Sequence, residues 1–188
     1  MDEESMPEKK LKVEPEAAAE LITHFAPLEP LPPSGEVLDL ACGGGRNGLW
    51  FAQREHRLTF IDKSLDGLSS RSNKHRYLEW DLEDGTAPHL PQEQFDVVLV
   101  FNYLHRPLFS QIKTAVKPGG LIFYETFTEK QAEIGRPRNP DFLLKPLELR
   151  SKFDKWDCLH YFEGEVSTNN KQSFKAQLIA RKPISQKL

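Results

Sequence analysis

The chain of 188 residues has only two cysteines, Cys42 and Cys158, far apart and in no CxxC or Cys/His spacing. That argues against a disulfide framework and against a structural zinc site, and reduced thiols in the cytoplasm are the expectation. Positive charge is not in excess: 25 Lys and Arg stand against 28 Asp and Glu, a formal net charge of −3. A sequence-independent grip on phosphate backbones needs a basic surface that displaces counterions, so there is no strong nucleic-acid signature. No apolar run approaches the roughly 20 residues that span a bilayer, and the N-terminal MDEESMPEKKLKVEPE has no apolar signal core. Neither secretion nor membrane insertion is expected. Apolar residues are also scarce, 38% against about 45–50% in an average domain. Polar tails at both ends, residues 1–15 and 183–188, account for the shortfall and leave one domain over residues 16–182. No internal repeat is present.

What the chain does have is alternation of short apolar runs and helical stretches. A helix is predicted over Pro15 to Phe25, broken by the Pro-rich segment Pro27 to Gly35. Strands are predicted over Glu36 to Ala41, Arg57 to Ile61, Arg76 to Trp80, Phe95 to Phe101 and Leu121 to Glu125, the fourth apolar enough to be buried on both faces. Between them come helices after the CGGG turn, over Leu65 to Ser72 and over Leu108 to Val116, the last stopped by the KPGG turn. Residues 128–145 read as a long irregular loop. A helix over Pro146 to Lys152 and two strands, Trp156 to Glu163 and Phe174 to Arg181, complete the pattern, with VSTNNKQS turning a hairpin between them. The fold class is α/β: a doubly wound, mostly parallel seven-stranded sheet with helices on both faces and a C-terminal antiparallel hairpin. In that architecture ligands sit beyond the carboxyl ends of the strands, so site residues should follow strands.

The main chemical signal is VLDLACGGGRNGLWFA, residues 37–52. Gly43, Gly45 and Gly48 satisfy GxGxxG, and Asp62 lies 19 positions past Gly43. Glycine lets the backbone approach a ligand, a helix N-terminus offers free N–H groups, and a carboxylate after the second strand can hold both ribose hydroxyls. An adenosine-containing cofactor is implied. The spacing alone serves nicotinamide dinucleotides equally well.

Taken in order, these residues resemble the class I S-adenosylmethionine-dependent methyltransferase family. The resemblance implies that Asp39, inside the first strand, helps hold the amino end of the methionine moiety, with the turn Ala41, Cys42, Gly43, Gly45 and Arg46 against the cofactor. IDKS at 61–64, with Asp62 and Lys63, is similar to the family's ribose-binding segment. WDLED at 80–84, with Asp81 and Leu82, is similar to its adenine-contacting segment, where Asp81 would accept the exocyclic amine. FDVVLVFNYL at 95–104 and VKPGGLIFYE at 116–125 resemble its fourth and fifth strands. The stretch GGRNGLWFA is locally similar to a tellurite-resistance methyltransferase subgroup. One departure is Ala41, where the family usually has its first glycine. The implied activity is in-line transfer of a methyl group from S-adenosyl-L-methionine.

Acceptor chemistry falls to Asn102, Tyr103, His105 and Arg106 after the fourth strand, with Tyr124 and Glu125 ending the fifth. Asn102 also belongs to the implied cofactor set. His105 can take a proton near neutral pH and Tyr103 can face the sulfonium; alternatively His105 and Arg106 simply cap the helix beginning at Pro107. Arg46 pairs with the cofactor's carboxylate or reaches the acceptor, or else is a surface arginine. Trp80 is placed to stack beside the adenine, whereas Trp50 is expected in the core. Arg136, Arg138 and Lys145 form either an electropositive lid or a solvated loop. Beyond Glu165 the chain has no acid and five basic residues, read as a solvated hairpin and tail rather than a contact for RNA or an acidic partner. The acceptor stays open between small molecule, protein and RNA, the protein being expected as a monomer or weak homodimer. Two rivals remain: an NAD(P)-dependent reductase, and a catalytically silent cofactor-binding partner protein.

Overall fold

The computed structural model describes residues 17–29, 31–69, 71–168 and 171–184. The tail expected over residues 1–15 lies outside the described residues, as do residues 185–188 of the C-terminal one. Five short helices, α1 (Glu20–Phe25), α2 (Arg46–Ala52), α3 (Phe109–Ala115), α4 (Gln131–Ile134) and α5 (Glu148–Lys152), accompany seven strands. These are β1 (Glu36–Leu40), β2 (Arg57–Asp62), β3 (Arg76–Glu79), β4 (Phe95–Phe101), β5 (Val116–Phe127), β6 (Asp157–Thr168) and β7 (Lys171–Arg181).

The strands form one sheet in the order β3-β2-β1-β4-β5-β7-β6. The first five are parallel, and β7 runs antiparallel to both β5 and β6. Strand order reverses between β1 and β4, which makes their carboxyl ends the topological switch point where an open α/β sheet binds its ligand. Alternation decides which helix covers which face. Val37, Phe60, Val97, Leu99 and Phe123 pack with Leu21 and Ile22 of α1 and Phe51 of α2. Leu38, Leu40, Val98, Val100, Ile122 and Tyr124 pack on the other face with Phe109 and Ile112 of α3 and Leu149 of α5. β4 is buried on both faces, as its unbroken apolar run requires.

Three expectations are corrected. Among the described residues from Leu65 to Ser72 there is no helix, only a turn at Asp66–Gly67, a bend at Ser69 and irregular chain. Leu65 and Leu68 have helical spacing and are both buried, but Gly67 lies against the Gly43–Gly44 backbone, where an added Cβ would sit 3.3 Å from Gly43 O and Gly44 Cα. Close packing of two backbones outweighs a weak helical propensity there. The KPGG turn is absorbed into β5 as an irregularity, with Val116 paired to Phe95 and then Leu121 to Val97, Gly119 taking φ +79°. The hairpin strands run further than predicted, with most of VSTNNKQS inside them and Thr168 paired to Lys171. Trp50 packs, half-buried, against the core as expected, with the Arg54 guanidinium 3.5 Å over its ring. Among the described residues no helix is long and apolar enough to cross a membrane.

Candidate functional site

At the switch point the chain turns away sharply after both central strands. Ala41 follows β1 at φ +54° and Asn102 follows β4 at φ +55°. Both lie in the left-handed region that L residues other than Asn and Asp rarely adopt. The methyl group of Ala41 therefore costs about 1 kcal/mol relative to the glycine that this backbone favours. The Cys42 N–H donates to Ile61 O at 3.0 Å and the Gly45 N–H to Cys42 O at 2.8 Å, closing the turn ahead of α2.

The three motif glycines have different reasons. A Cβ on Gly45 would stand 2.3 Å from Leu68 Cδ2, and one on Gly48 would stand 2.5 Å from Phe60 Cε1 and 2.8 Å from Asp39 Oδ2. These two are glycine for packing. Gly43 has φ +53° with nothing within 4 Å of its Cβ position, so the turn backbone there is open to an incoming group.

Asp39 lies beneath the turn, buried, its Oδ2 accepting the Gly48 N–H at 2.8 Å. Burial pushes its carboxyl up to about 7; the Gly48 bond opposes that, the Asp62 charge adds to it and Arg46 opposes it. Asp62, at the end of β2, accepts the Gly43 N–H at 2.7 Å through Oδ2 and the Ser64 N–H at 3.3 Å through Oδ1. Each oxygen keeps a further lone pair for a hydroxyl. The Trp80 N–H donates to Asp62 O at 2.9 Å, fixing the end of β3 beside that of β2. Asp81 takes the Lys63 ammonium on Oδ2 and the Glu83 N–H at 3.0 Å on Oδ1. The Lys63 hydrogen bond and then the Glu83 N–H hold its carboxyl below the usual range.

These strand ends enclose a cleft of about 310 Å³. Of the predicted site residues, Ala41, Asp62, Lys63, Asp81, Leu82, Asn102 and Tyr103 line it, and so does Trp80. Glu83 and Phe101 line it too and were missed: Glu83 stood inside WDLED, and Phe101 is the last apolar residue of a strand read only as core. The Tyr103 hydroxyl is buried without a hydrogen-bond partner. Burial, followed by the charge of Glu83, drives its pKa far upward, with Asp81 and Asp62 adding to the effect. Tyr103 thus feels the acids that follow β2 and β3.

The remaining candidates lie elsewhere. Arg46 donates to Ala17 O at 2.8 Å, and Ala19 N–H donates to Asn47 Oδ1 at 2.9 Å, so the segment before α1 is strapped onto the start of α2. Cys42 is half-buried, with its thiol pushed far up by burial and then by Asp39 and Asp62, the opposite of a nucleophile. His105 precedes the short 3-10 turn Arg106–Leu108 and makes no side-chain cap bond; it is not among the residues lining the cleft. Arg106 is committed to structure. It grips Glu148 with two bonds of 2.7 and 2.9 Å and donates to Asp141 O and Leu143 O, both at 2.8 Å. Tyr124 is core, packed on Phe109 and Phe153. Glu125 is buried and accepts from Lys175 Nζ at 2.6 Å and Gln177 Nε2 at 2.7 Å. Arg136, Arg138 and Lys145 are exposed and do not line the cleft.

The cleft combines a carboxylate with free lone pairs at the end of β2 with a volume in the range of ligand pockets, next to an open glycine turn and a buried acid beneath it. Comparison with known proteins points the same way. A family model described as a methyltransferase domain matches residues 11–181. A curated Bacillus subtilis relative named as a methyltransferase, YqeM, is 30% identical over 120 residues, covering 55% of this chain and 47% of its own length. The chain thus spans about half the length of that relative. Among solved structures, a SAM-dependent methyltransferase from Methanosarcina mazei superposes with a TM-score of 0.63 at 14% identity, over 90% of this chain and all of the other. TehB from Haemophilus influenzae superposes with a TM-score of 0.64 at 20% identity, over 86% and 61%. The chain therefore belongs to the methyltransferase-domain family, and it has the Rossmann-like fold of solved S-adenosylmethionine-dependent methyltransferases.

Proposed function

We propose that this chain binds S-adenosyl-L-methionine in the cleft at the switch point and transfers its methyl group to an acceptor presented from the side of β4 and β5. The observation that carries the proposal is the convergence of Asp62 and Asp81 with the left-handed residues Ala41 and Asn102 on one cleft at the carboxyl ends of β1 to β4. Asp62 takes the ribose hydroxyls. Asp81 and Leu82 take the adenine, with Trp80 beside it, and Asp39 beneath the glycine turn offers a counter-charge to the methionine ammonium. When bound, the cofactor supplies a methyl group already activated on a sulfonium, so the protein's main task is alignment, which can supply roughly 7–11 kcal/mol. Asn102, Tyr103 and His105 on the connection after β4 are the candidates for contact with the acceptor. We take residues 16–182 as one catalytic domain acting in the cytoplasm, as a monomer or weak homodimer and without strong affinity for nucleic acid.

The end of the sheet argues against a nicotinamide dinucleotide. A second mononucleotide-binding half needs a parallel sixth strand, whereas β7 enters antiparallel beside β5. Calorimetry with S-adenosylhomocysteine tests the reading. Wild type should bind, and Asp62→Ala should bind at least about tenfold more weakly, because hydrogen bonds to a charged group are lost. Unchanged affinity in Asp62→Ala removes the ribose assignment, and a thermal shift with NAD or NADP but not S-adenosylhomocysteine overturns the function. Tight binding without methyl transfer to any cell-extract component would mark the silent partner instead.

A further inference from the structure

Phe101 and Tyr103 flank the left-handed Asn102, and both line the cofactor cleft. They belong to opposite sides of the sheet. Phe101 packs with the cluster on the α1 face. Tyr103 packs with the cluster on the α3 face, as do Leu78 of β3 and Trp80 and Leu82 just beyond it. Along a regular strand residues two apart share a face, so the reversal at Asn102, φ +55°, is what turns Tyr103 across the sheet. The turn carries it from the side of Phe101 to that of Trp80 and Leu82, which also line the cleft. The charges around its hydroxyl agree with that placement. Burial first, then Glu83, and after it Asp81 and Asp62, keep the phenol protonated. These are the acids that end β2 and follow β3.

Among the described residues no group accepts the proton of this buried hydroxyl. A buried polar group left unpaired costs about 1–3 kcal/mol, and phenylalanine would give the same ring packing without that cost. Adenine offers the missing partner. Its exocyclic amine is a donor, the group that Asp81 takes in the proposed function, while its ring nitrogens are acceptors and call for a donor. A protonated phenol supplies one.

We propose that the Tyr103 hydroxyl donates a hydrogen bond to a ring nitrogen of the cofactor's adenine, which makes Tyr103 a binding residue that reads the base. The proposal rests on the methyl-transfer reading above and divides the connection after β4 between two ligands. Tyr103 serves the cofactor, and contact with the acceptor falls to Asn102 and His105. The base is then recognised at two points, its amine by Asp81 and its ring by Tyr103. A 6-oxo purine would set an acceptor against the Asp81 carboxylate and lose the first of them.

Tyr103→Phe tests it, since the ring stays and one hydroxyl goes. The unliganded variant should unfold in urea at a midpoint equal to or above that of wild type. Its affinity for S-adenosylhomocysteine, by calorimetry, should fall about five- to tenfold, and its affinity for adenosine alone should fall by the same factor. The 1-deaza and 3-deaza analogues of adenosine, each with a ring nitrogen replaced by C–H, identify the partner atom. Wild type should bind one of them more weakly than adenosine, and Tyr103→Phe should bind that analogue and adenosine alike. A lower urea midpoint in the variant would mean that the hydroxyl has a partner within the chain. Unchanged affinity for S-adenosylhomocysteine, or the same losses on both analogues in the two proteins, would mean that it does not touch the base. Each of these results overturns the proposal. Wild type that binds adenosine but not S-adenosylhomocysteine overturns the methyl-transfer reading alone, and the adenosine titrations still decide the role of Tyr103. Wild type that binds neither overturns both.

Discussion

Two carboxylates are buried on the same face of the sheet, Asp39 on β1 and Glu125 on β5, and they are held in opposite ways. Glu125 has an ammonium and an amide N–H within 2.7 Å. Asp39 has one backbone N–H, from Gly48, and its carboxyl is driven up to about 7. A buried carboxylate that meets its counter-charge within the chain is finished structure, whereas one left with a single neutral donor holds its proton to higher pH. The β5 to β6 side of the sheet is thus locked by the protein itself, while the β1 side is open, and in the proposed function the cofactor's ammonium completes it.

Breaking the locked side should produce the largest effect. Lys175 and Glu125 side chains are only 11% and 5% exposed, so Lys175→Met leaves a buried carboxylate without its partner charge. The loss should be about 3–5 kcal/mol of folding stability, read from urea unfolding, and the double variant Lys175→Met with Glu125→Leu should recover most of it. A single variant as stable as wild type would erase the contrast.

The open side should respond to pH. With a folded pKa of about 7 against an ordinary 3.8, Asp39 holds a proton in the folded state that the unfolded chain has already released. Stability therefore falls as pH rises from about 4 to about 7 and stays reduced above, by up to about 4 kcal/mol. Asp39→Asn keeps an oxygen for the Gly48 N–H and removes that slope, so the variant should match wild type below pH 4 or so and exceed it above pH 7. Its affinity for S-adenosylhomocysteine should fall at neutral pH, because in the proposed function Asp39 is the counter-charge of the cofactor's ammonium. Parallel stability curves for the two proteins would show that Asp39 is not the titrating group.

A smaller effect on the locked side is expected from Arg106→Met. Arg106 ties the carbonyls of Asp141 and Leu143 and the carboxylate of Glu148 to the turn after β4. Its side chain is 33% exposed, so the loss should be about 1–2 kcal/mol, less than for a fully buried pair. Limited proteolysis between residues 128 and 147 should accelerate while cofactor affinity holds. Weaker cofactor binding would mean that this loop also shapes the cofactor cleft.

How much of this contrast the sequence announces depends on the reach of each interaction. The β1 turn and α2 are local: period-two apolar residues, three glycines and the acid at Asp62 all fall within 26 positions, and their pattern is visible without a fold. β4 declares its double burial by composition alone. The locked side is invisible for the opposite reason. Glu125 finds Lys175 and Gln177 at separations of 50 and 52 residues, and Arg106 finds Glu148 at 42, so each reads as a free polar residue near the end of a strand until the hairpin and α5 are folded against it. The segment after Lys63 misleads in a third way. Leu65 and Leu68 are spaced like a helix, but what places them is contact between Gly67 and a turn more than 20 residues earlier, which periodicity does not encode.

The smallest effect belongs to the mouth of the open side. Lys63 and Asp81 form an ion pair there, but the Lys63 side chain is 76% exposed, and water and salt screen such pairs heavily. The unfolding midpoint of Lys63→Ala should be unchanged. Binding is the informative readout, since in the proposed function the adenine amine approaches the carboxylate that the Lys63 ammonium already holds, with the Glu83 N–H on its other oxygen. Removing Lys63 should raise S-adenosylhomocysteine affinity by about threefold, more at low salt than at high. A fall in affinity would show that Lys63 itself holds the cofactor. The open side would then carry two charges that serve the ligand, and the difference between the two halves would widen.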